Sequence, residues 1–215
     1  SLLSWILIFI AAVCLCVNNF WWMLAGVLLT NFWLVLDCVD GNIARVKKKK
    51  SFMGDFFDAV AGYGPFSFTT LALGIAAYNT TNIVTPEYKW WLIVIGGFGA
   101  MCNLYMRLVH QKYLNCFFAA KQILGEQEDI TLKDTDDKKS FAYIREQIDK
   151  NLGVSGLFMP WLIVALFTKT FDIMVVFYTL YYVVSFLAIC VLYSKKAADF
   201  EVESQHTVKE KHIVL

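Results

Sequence analysis

The sequence predicts an all-α integral membrane protein, a bundle of six transmembrane helices. Three observations carry that expectation. Of the 215 residues, 58% are hydrophobic and only 17% are charged, against about 25% charged in an average soluble domain. The apolar residues collect in six runs, at about 1–17, 20–36, 56–78, 90–110, 154–168 and 171–193, and a membrane helix needs roughly 20 such residues. The runs do not alternate, so each reads as a helix that satisfies its own backbone hydrogen bonds in lipid. A net charge of +1 leaves no basic field to draw in nucleic acid.

The first run opens on Ser1 rather than Met, so its natural start is expected upstream. No basic leader or cleavage site marks it as a signal peptide. Val17-Asn18-Asn19 turns it tightly into the second run, which ends on Asp37 and Asp40. Asp55 and Asp58 open the third, which then passes through Gly62-Tyr63-Gly64-Pro65. Gly and Pro there should kink or loosen the helix, either to widen a cavity or only as a packing feature. The fourth holds Gly96-Gly97-Phe98-Gly99 and closes on Arg107 and His110. Its glycines read as a helix-packing surface, because no strand precedes them as a nucleotide loop would require. Thr168-Lys169-Thr170 joins the fifth run to the sixth. The sixth carries Tyr178, Tyr181, Tyr182 and Phe186, expected to face lipid or a dimer interface.

Two polar segments remain. Residues 121–152 form a mixed-charge loop in which Phe141, Ile144 and Ile148 recur at helical spacing, as in an amphipathic helix lying on the membrane. The membrane domain is thus 1–196, and 197–215 is a polar tail. Cys14, Cys16, Cys38, Cys102, Cys116 and Cys190 show no metal-site spacing and read as small apolar membrane residues. Asn79-Thr80-Thr81 has the form of a glycosylation sequon and reads as a chance occurrence.

Orientation follows from the basic residues. If the loop after the second run is cytoplasmic, every one of the 19 lysines and arginines except Lys89 and Lys169 falls on that side. This positive-inside bias puts both termini, and the end bearing the carboxylates, in the cytoplasm. Lys47 to Lys50 fit the same bias beside anionic lipid.

Asp37, Asp40, Asp55 and Asp58 are the informative residues. An aspartate at mid-bilayer costs about 2.5–3.5 kcal/mol on insertion scales, so such residues mark function. Asp37 and Asp40 share a helix face, and Asp55 and Asp58 repeat the spacing on the next helix. Converging carboxylates repel, and a divalent cation removes the repulsion. Oxygen ligands suit Mg²⁺, Ca²⁺ or Mn²⁺ rather than zinc. Gly41 permits close backbone approach, Ala44 keeps its face small, and Arg45 can hold a phosphate bidentately.

Residues 37–58 read DCVDGNIARVKKKKSFMGDFFD. This resembles the signature of the CDP-alcohol phosphotransferases, D-x-x-D-G-x-x-A-R followed at about eight residues by G-x-x-x-D-x-x-x-D, through Asp37, Asp40, Gly41, Ala44, Arg45, Gly54 and Asp58. The resemblance implies a membrane phosphotransferase that cleaves a CDP-linked donor, releases CMP and passes a substituted phosphate to a lipid-pathway acceptor, in phospholipid headgroup synthesis or in the loading of a polyprenyl phosphate. It implies Mg²⁺ or Mn²⁺ as cofactor, membrane lipid around the bundle and a homodimer. Asp37, Asp40 and Asp58 would hold metal, with Asp58 and Asp40 at the chemistry. Gly41, Ala44, Arg45 and Gly54 would line the nucleotide pocket. Arg107, beyond the motif, is a candidate for binding a phosphate on the acceptor.

One position departs from the signature. The last aspartate should fall four residues after Asp58, where this chain has Gly62. In the resembled family that aspartate helps hold metal and serves as the base toward the acceptor hydroxyl. Three explanations stand side by side. The acceptor is a phosphate monoester such as a polyprenyl phosphate, already ionised at pH 7 with a second pKa near 6. Alternatively Asp55 substitutes, or the chain is an inactive relative or engineered variant that binds CDP-lipid without turnover. A transporter using intramembrane carboxylates would leave Gly41, Ala44 and Arg45 unexplained.

Overall fold

The computed structural model describes residues 2–47, 52–124 and 151–213. Among these, six α-helices stand where the six apolar runs lie: α1 Leu2–Cys16, α2 Phe20–Lys47, α3 Phe52–Thr80, α4 Trp90–Leu124, α5 Met159–Thr168 and α6 Phe171–Ile213. No strand occurs among the described residues. The amphipathic helix expected around Phe141, Ile144 and Ile148 falls outside them.

The turns explain the helix ends. Asn19 accepts the Trp21 backbone N–H on its side-chain oxygen, capping α2. Lys169 adopts the left-handed conformation, φ 57°, and its N–H returns to the Ala165 carbonyl, closing α5. Residues 17–19 and 169–170 therefore suffice to reverse the chain.

The helices alternate in direction, and α1 packs against both α2 and α3. Gly26 of α2 meets α1 so closely that a Cβ there would stand 2.8 Å from Leu15 Cγ and 2.9 Å from the Ala11 carbonyl oxygen. Helix α1 runs in step with α3, from Trp5 beside Gly64 to Cys16, whose carbonyl accepts the Asn79 amide at 2.9 Å. Helices α3 and α4 are antiparallel and touch backbone to backbone at Gly74 and Gly96. Helix α6 runs parallel to α4, from Gly99 against Thr179 to His110 against Tyr193. The Gly96-to-Gly99 segment is thus the packing surface its sequence suggests. Gly96 faces α3 and Gly99 faces α6, while a Cβ on Gly97 would meet nothing nearer than Leu71 Cδ1 at 3.8 Å.

Among the described residues, three helical stretches are long and apolar enough to cross a membrane: Phe20–Val39, Pro86–Lys121 and Phe171–Glu201. Their outward faces are stripes of large apolar residues at helical spacing, such as Phe98, Met101, Tyr105 and Leu108 on α4 and Leu180, Val184, Leu187 and Val191 on α6. Trp21, Trp22, Trp90 and Trp91 stand exposed together at the end away from Asp37, where an interfacial aromatic belt would lie. These features fit an integral membrane protein.

Two expectations change, for the tyrosine stripe and the fifth run, and two are refined, for the tail and for Gly62 to Pro65. The tyrosine stripe of α6 turns inward: Tyr178 is fully buried and Tyr182 nearly so, with the Phe158 ring edge-on to Tyr178 at 4.7 Å. A run apolar on every side gives no sequence cue to which face is inside. Helix α6 continues past Ala197 to Ile213, through the expected tail, because nothing from Phe171 to Ile213 is Gly or Pro. Helix α3 continues as one element through Gly62 to Pro65, and Gly64 serves to admit Trp5, whose Nε1 would stand 2.6 Å from a Cβ there. The fifth run is only partly α-helical. Val154–Phe158 forms a π-type turn with Gly156 at φ −103°, ψ −115°, so α5 proper is about 15 Å long. Gly153, Gly156 and Pro160 disrupt regular winding there.

Candidate active site

The sequence motif occupies the last third of α2 and the first third of α3, with its backbone helical from Asp37 to Lys47 and from Phe52 onward. Side chains from 40 to 63 lie outside the described residues, so the level and helical face of each position define the site.

Along α2, Gly26, Trp33, Asp37, Asp40 and Ala44 recur at three, four or seven residues and share one face. Gly26 and Trp33 on that face are buried against the bundle. The positions of Asp37 and Asp40 therefore continue the line of that packed face, and Asp37 is exposed. On α3, Gly54, Asp58 and Gly62 form a second stripe at four-residue spacing.

The helix contacts bring these stripes to one level. Gly26 lies level with Ala11–Leu15 of α1, and α1 is in step with α3. Carried down those helices at about 1.5 Å per residue, Asp37 comes level with Gly62 and Asp40 with Asp58, within about one turn. From the Gly74–Gly96 contact, Gly62 and Arg107 lie about 18 and 17 Å toward the motif end, so Arg107 joins the same level. Gly41, Ala44, Arg45 and Gly54 fall up to about two turns beyond it, outward from the bundle. The level lies about 26–33 Å from the opposite helix ends, close to the roughly 30 Å thickness of a hydrocarbon layer. The structure thus puts the positions of Asp37, Asp40, Asp58, Gly62 and Arg107 at one level along the helix axes.

Arg107 is partly buried, and its Nε donates to the Asn103 side-chain oxygen at 3.2 Å. Asn103 itself is only 1% exposed. One turn beyond Arg107, His110 Nδ1 pairs with the Tyr193 hydroxyl. Tyr113 packs on Tyr193 at 4.7 Å and Phe117 on Phe200 at 4.9 Å, which locks α4 to α6 past the motif level. Asn103 and Tyr193 were not singled out from the sequence. Asn103 could have been, as the one amide in the apolar run 90–110, placed a single turn before its arginine.

Among the described residues no group of His, Cys, Asp or Glu could hold a metal ion, and Asp40 and Asp58 are not among the described side chains. The motif residues Asp37, Asp40 and Asp58 are all carboxylates, a donor type that suits Mg²⁺ or Mn²⁺. At the other end of the bundle lies a separate polar contact. Thr81 donates to Asp172 at 2.6 Å, and Asp172 is 6% exposed. With Asn79 bonded to Cys16, both working residues of the sequon-like triplet tie helix ends together.

The family model of the CDP-alcohol phosphatidyltransferases matches residues 1–123. The chain belongs to that family. The matched span covers α1 to α3 and nearly all of α4, hence both motif stripes and Arg107; α5 and α6 lie beyond it. No curated protein and no solved structure matches the chain. The family is one of enzymes that transfer a phosphate-linked group from a CDP-alcohol to an acceptor.

Proposed function

We propose that the protein is a metal-dependent phosphotransferase of the cytoplasmic membrane face that transfers a substituted phosphate from a CDP-linked donor to a phosphate monoester, such as a polyprenyl phosphate, and releases CMP. The observation that carries the reading is Gly62, level with Asp37 and Asp40 in the bundle, where the family signature has its basic aspartate.

In the reaction, an acceptor oxygen forms a bond to the donor's distal phosphorus, the bond from that phosphorus to the bridging oxygen breaks, and CMP departs with the bridging oxygen. Asp37, Asp40 and Asp58 would hold the cation. Bound there, it supplies neutralisation of the pyrophosphate and of the charge growing on the leaving CMP. Gly41, Ala44 and Gly54 leave room for the nucleotide to approach backbone, and Arg45 grips its phosphate. Arg107 orients the acceptor phosphate. A hydroxyl acceptor would have to surrender a proton during attack, and Gly62 cannot take one. A phosphate monoester with a second pKa near 6 arrives ionised at pH 7. The product would be a diphosphate carrying the transferred group, and the site at the membrane edge lets a lipid meet a water-soluble nucleotide.

The test is CMP release by the purified chain with Mg²⁺ or Mn²⁺ across a panel of CDP-alcohols. Release that EDTA abolishes and that is lost in Asp58→Asn supports the reading. Gly62 also favours a second reading, a relative that binds CDP-lipid without turnover. Metal-dependent CDP binding with no CMP release, and release appearing only in Gly62→Asp, would select it.

A further inference from the structure

We infer that Asn103 is a positioning residue that fixes the Arg107 guanidinium for a phosphate on the acceptor; this rests on the role proposed for Arg107 above. Three observations carry it. Asn103 is 1% exposed within a helix that is long and apolar enough to cross a membrane. A buried amide there is costly unless its hydrogen bonds are met. Its oxygen is spent on Arg107 Nε at 3.2 Å, one turn further along the same helix. Both residues lie within about 20° of the direction of Gly96, the face α4 turns to α3 and its motif stripe.

The chemistry follows from the shape of the guanidinium. It is planar, and anchoring Nε fixes the plane before any ligand arrives. An unanchored arginine of this length samples many rotamers, and ordering them on binding weakens affinity. A phosphate is recognised best by two parallel N–H groups in a fixed fork. The second tether of α4 lies one turn on, where His110 meets Tyr193 of α6, so the backbone bearing Arg107 is itself held in place. Asn103 thus sets orientation without touching the acceptor.

A role confined to helix packing predicts something else. An interhelical amide contributes to stability, and its loss would weaken every ligand equally or none. The positioning role predicts a loss that follows the phosphate group alone and that passes through Arg107.

The experiment uses the full chain in nanodiscs with Mg²⁺. Farnesyl phosphate is the probe, farnesol the control lacking the phosphate, and CDP a ligand for the nucleotide pocket. Dissociation constants come from tryptophan fluorescence. The parent protein should bind farnesyl phosphate in preference to farnesol. Asn103→Leu, which keeps the branched shape of the side chain without its polar atoms, should weaken farnesyl phosphate about tenfold while farnesol and CDP stay within about twofold. Arg107→Gln should lose the phosphate preference, and adding Asn103→Leu to it should cost no further affinity. If Arg107→Gln loses the preference while Asn103→Leu keeps it, or if the two losses add, the positioning role is overturned and the acceptor reading stands. If the parent protein does not prefer the phosphate, or Arg107→Gln retains the preference, both fall together.

Discussion

Gly74→Ala should destabilise the bundle, and Gly97→Ala should not, although both add one methyl to a glycine in a buried or apolar helix. At Gly74 the new Cβ would stand 2.7 Å from the Leu92 carbonyl oxygen and 3.1 Å from Gly96 Cα. Both are backbone atoms, which cannot swing aside, and ordinary carbon contacts need about 3.5–4.0 Å. Helices α3 and α4 must therefore separate by nearly 1 Å along their closest contact, at about 1–3 kcal/mol by analogy with overpacked cores. At Gly97 the nearest atom is a leucine methyl at 3.8 Å, an ordinary distance. Each substitution also gains up to about 1 kcal/mol of helix propensity. That gain is common to both variants, so their difference isolates the packing cost. Thermal unfolding in detergent, followed by tryptophan fluorescence, should place Gly74→Ala below Gly97→Ala by about 2–4 °C per kcal/mol for a chain of this size. Equal midpoints for the two variants would refute the backbone contact on which the common level of Gly62 and Arg107 is built.

Other outcomes follow from single contacts. Thr81→Val removes the hydroxyl that donates to buried Asp172 and should cost about 1–3 kcal/mol in the same unfolding assay, leaving CMP release at low temperature unchanged. Tyr178→Phe should leave stability unchanged or raise it slightly, because the Tyr178 hydroxyl is buried with no hydrogen-bond partner among the described residues. Tyr193→Phe removes the partner of His110 and should loosen α4 from α6 near the motif level, read as faster amide exchange on α4 after Arg107.

The six apolar runs were legible because a membrane helix is specified by composition over a long window, and each helix lies on its run. The motif was legible because Asp, Gly and Arg are out of place at the end of such runs. Which face of a uniformly apolar helix points inward was not, and Tyr178 and Tyr182 illustrate it. Facing depends on partners far away in sequence, as when Gly99 makes room for Thr179. The shortness of α5 was likewise hidden. Gly153 and Gly156 are compatible with a membrane helix, and the π-type turn at Val154–Phe158 is a choice made in three dimensions. The use of Gly64 was open in the sequence for the same reason, since it is to admit Trp5 from another helix. At the site, the spacing of the aspartates could be read directly, whereas the level that joins them to Arg107 required the glycine contacts between α1 and α2 and between α3 and α4.

The central claim is that Gly62 replaces a base because the acceptor needs none. It is tested most directly by comparing CMP release from one CDP-alcohol donor with farnesyl phosphate and with farnesol as acceptor, from pH 5 to pH 8. The account predicts release with the phosphate and little with the alcohol. It also predicts a rate that falls as pH drops below about 6, where the acceptor phosphate becomes protonated. Equal or greater release with the alcohol, or a phosphate rate indifferent to that pH range, would contradict it.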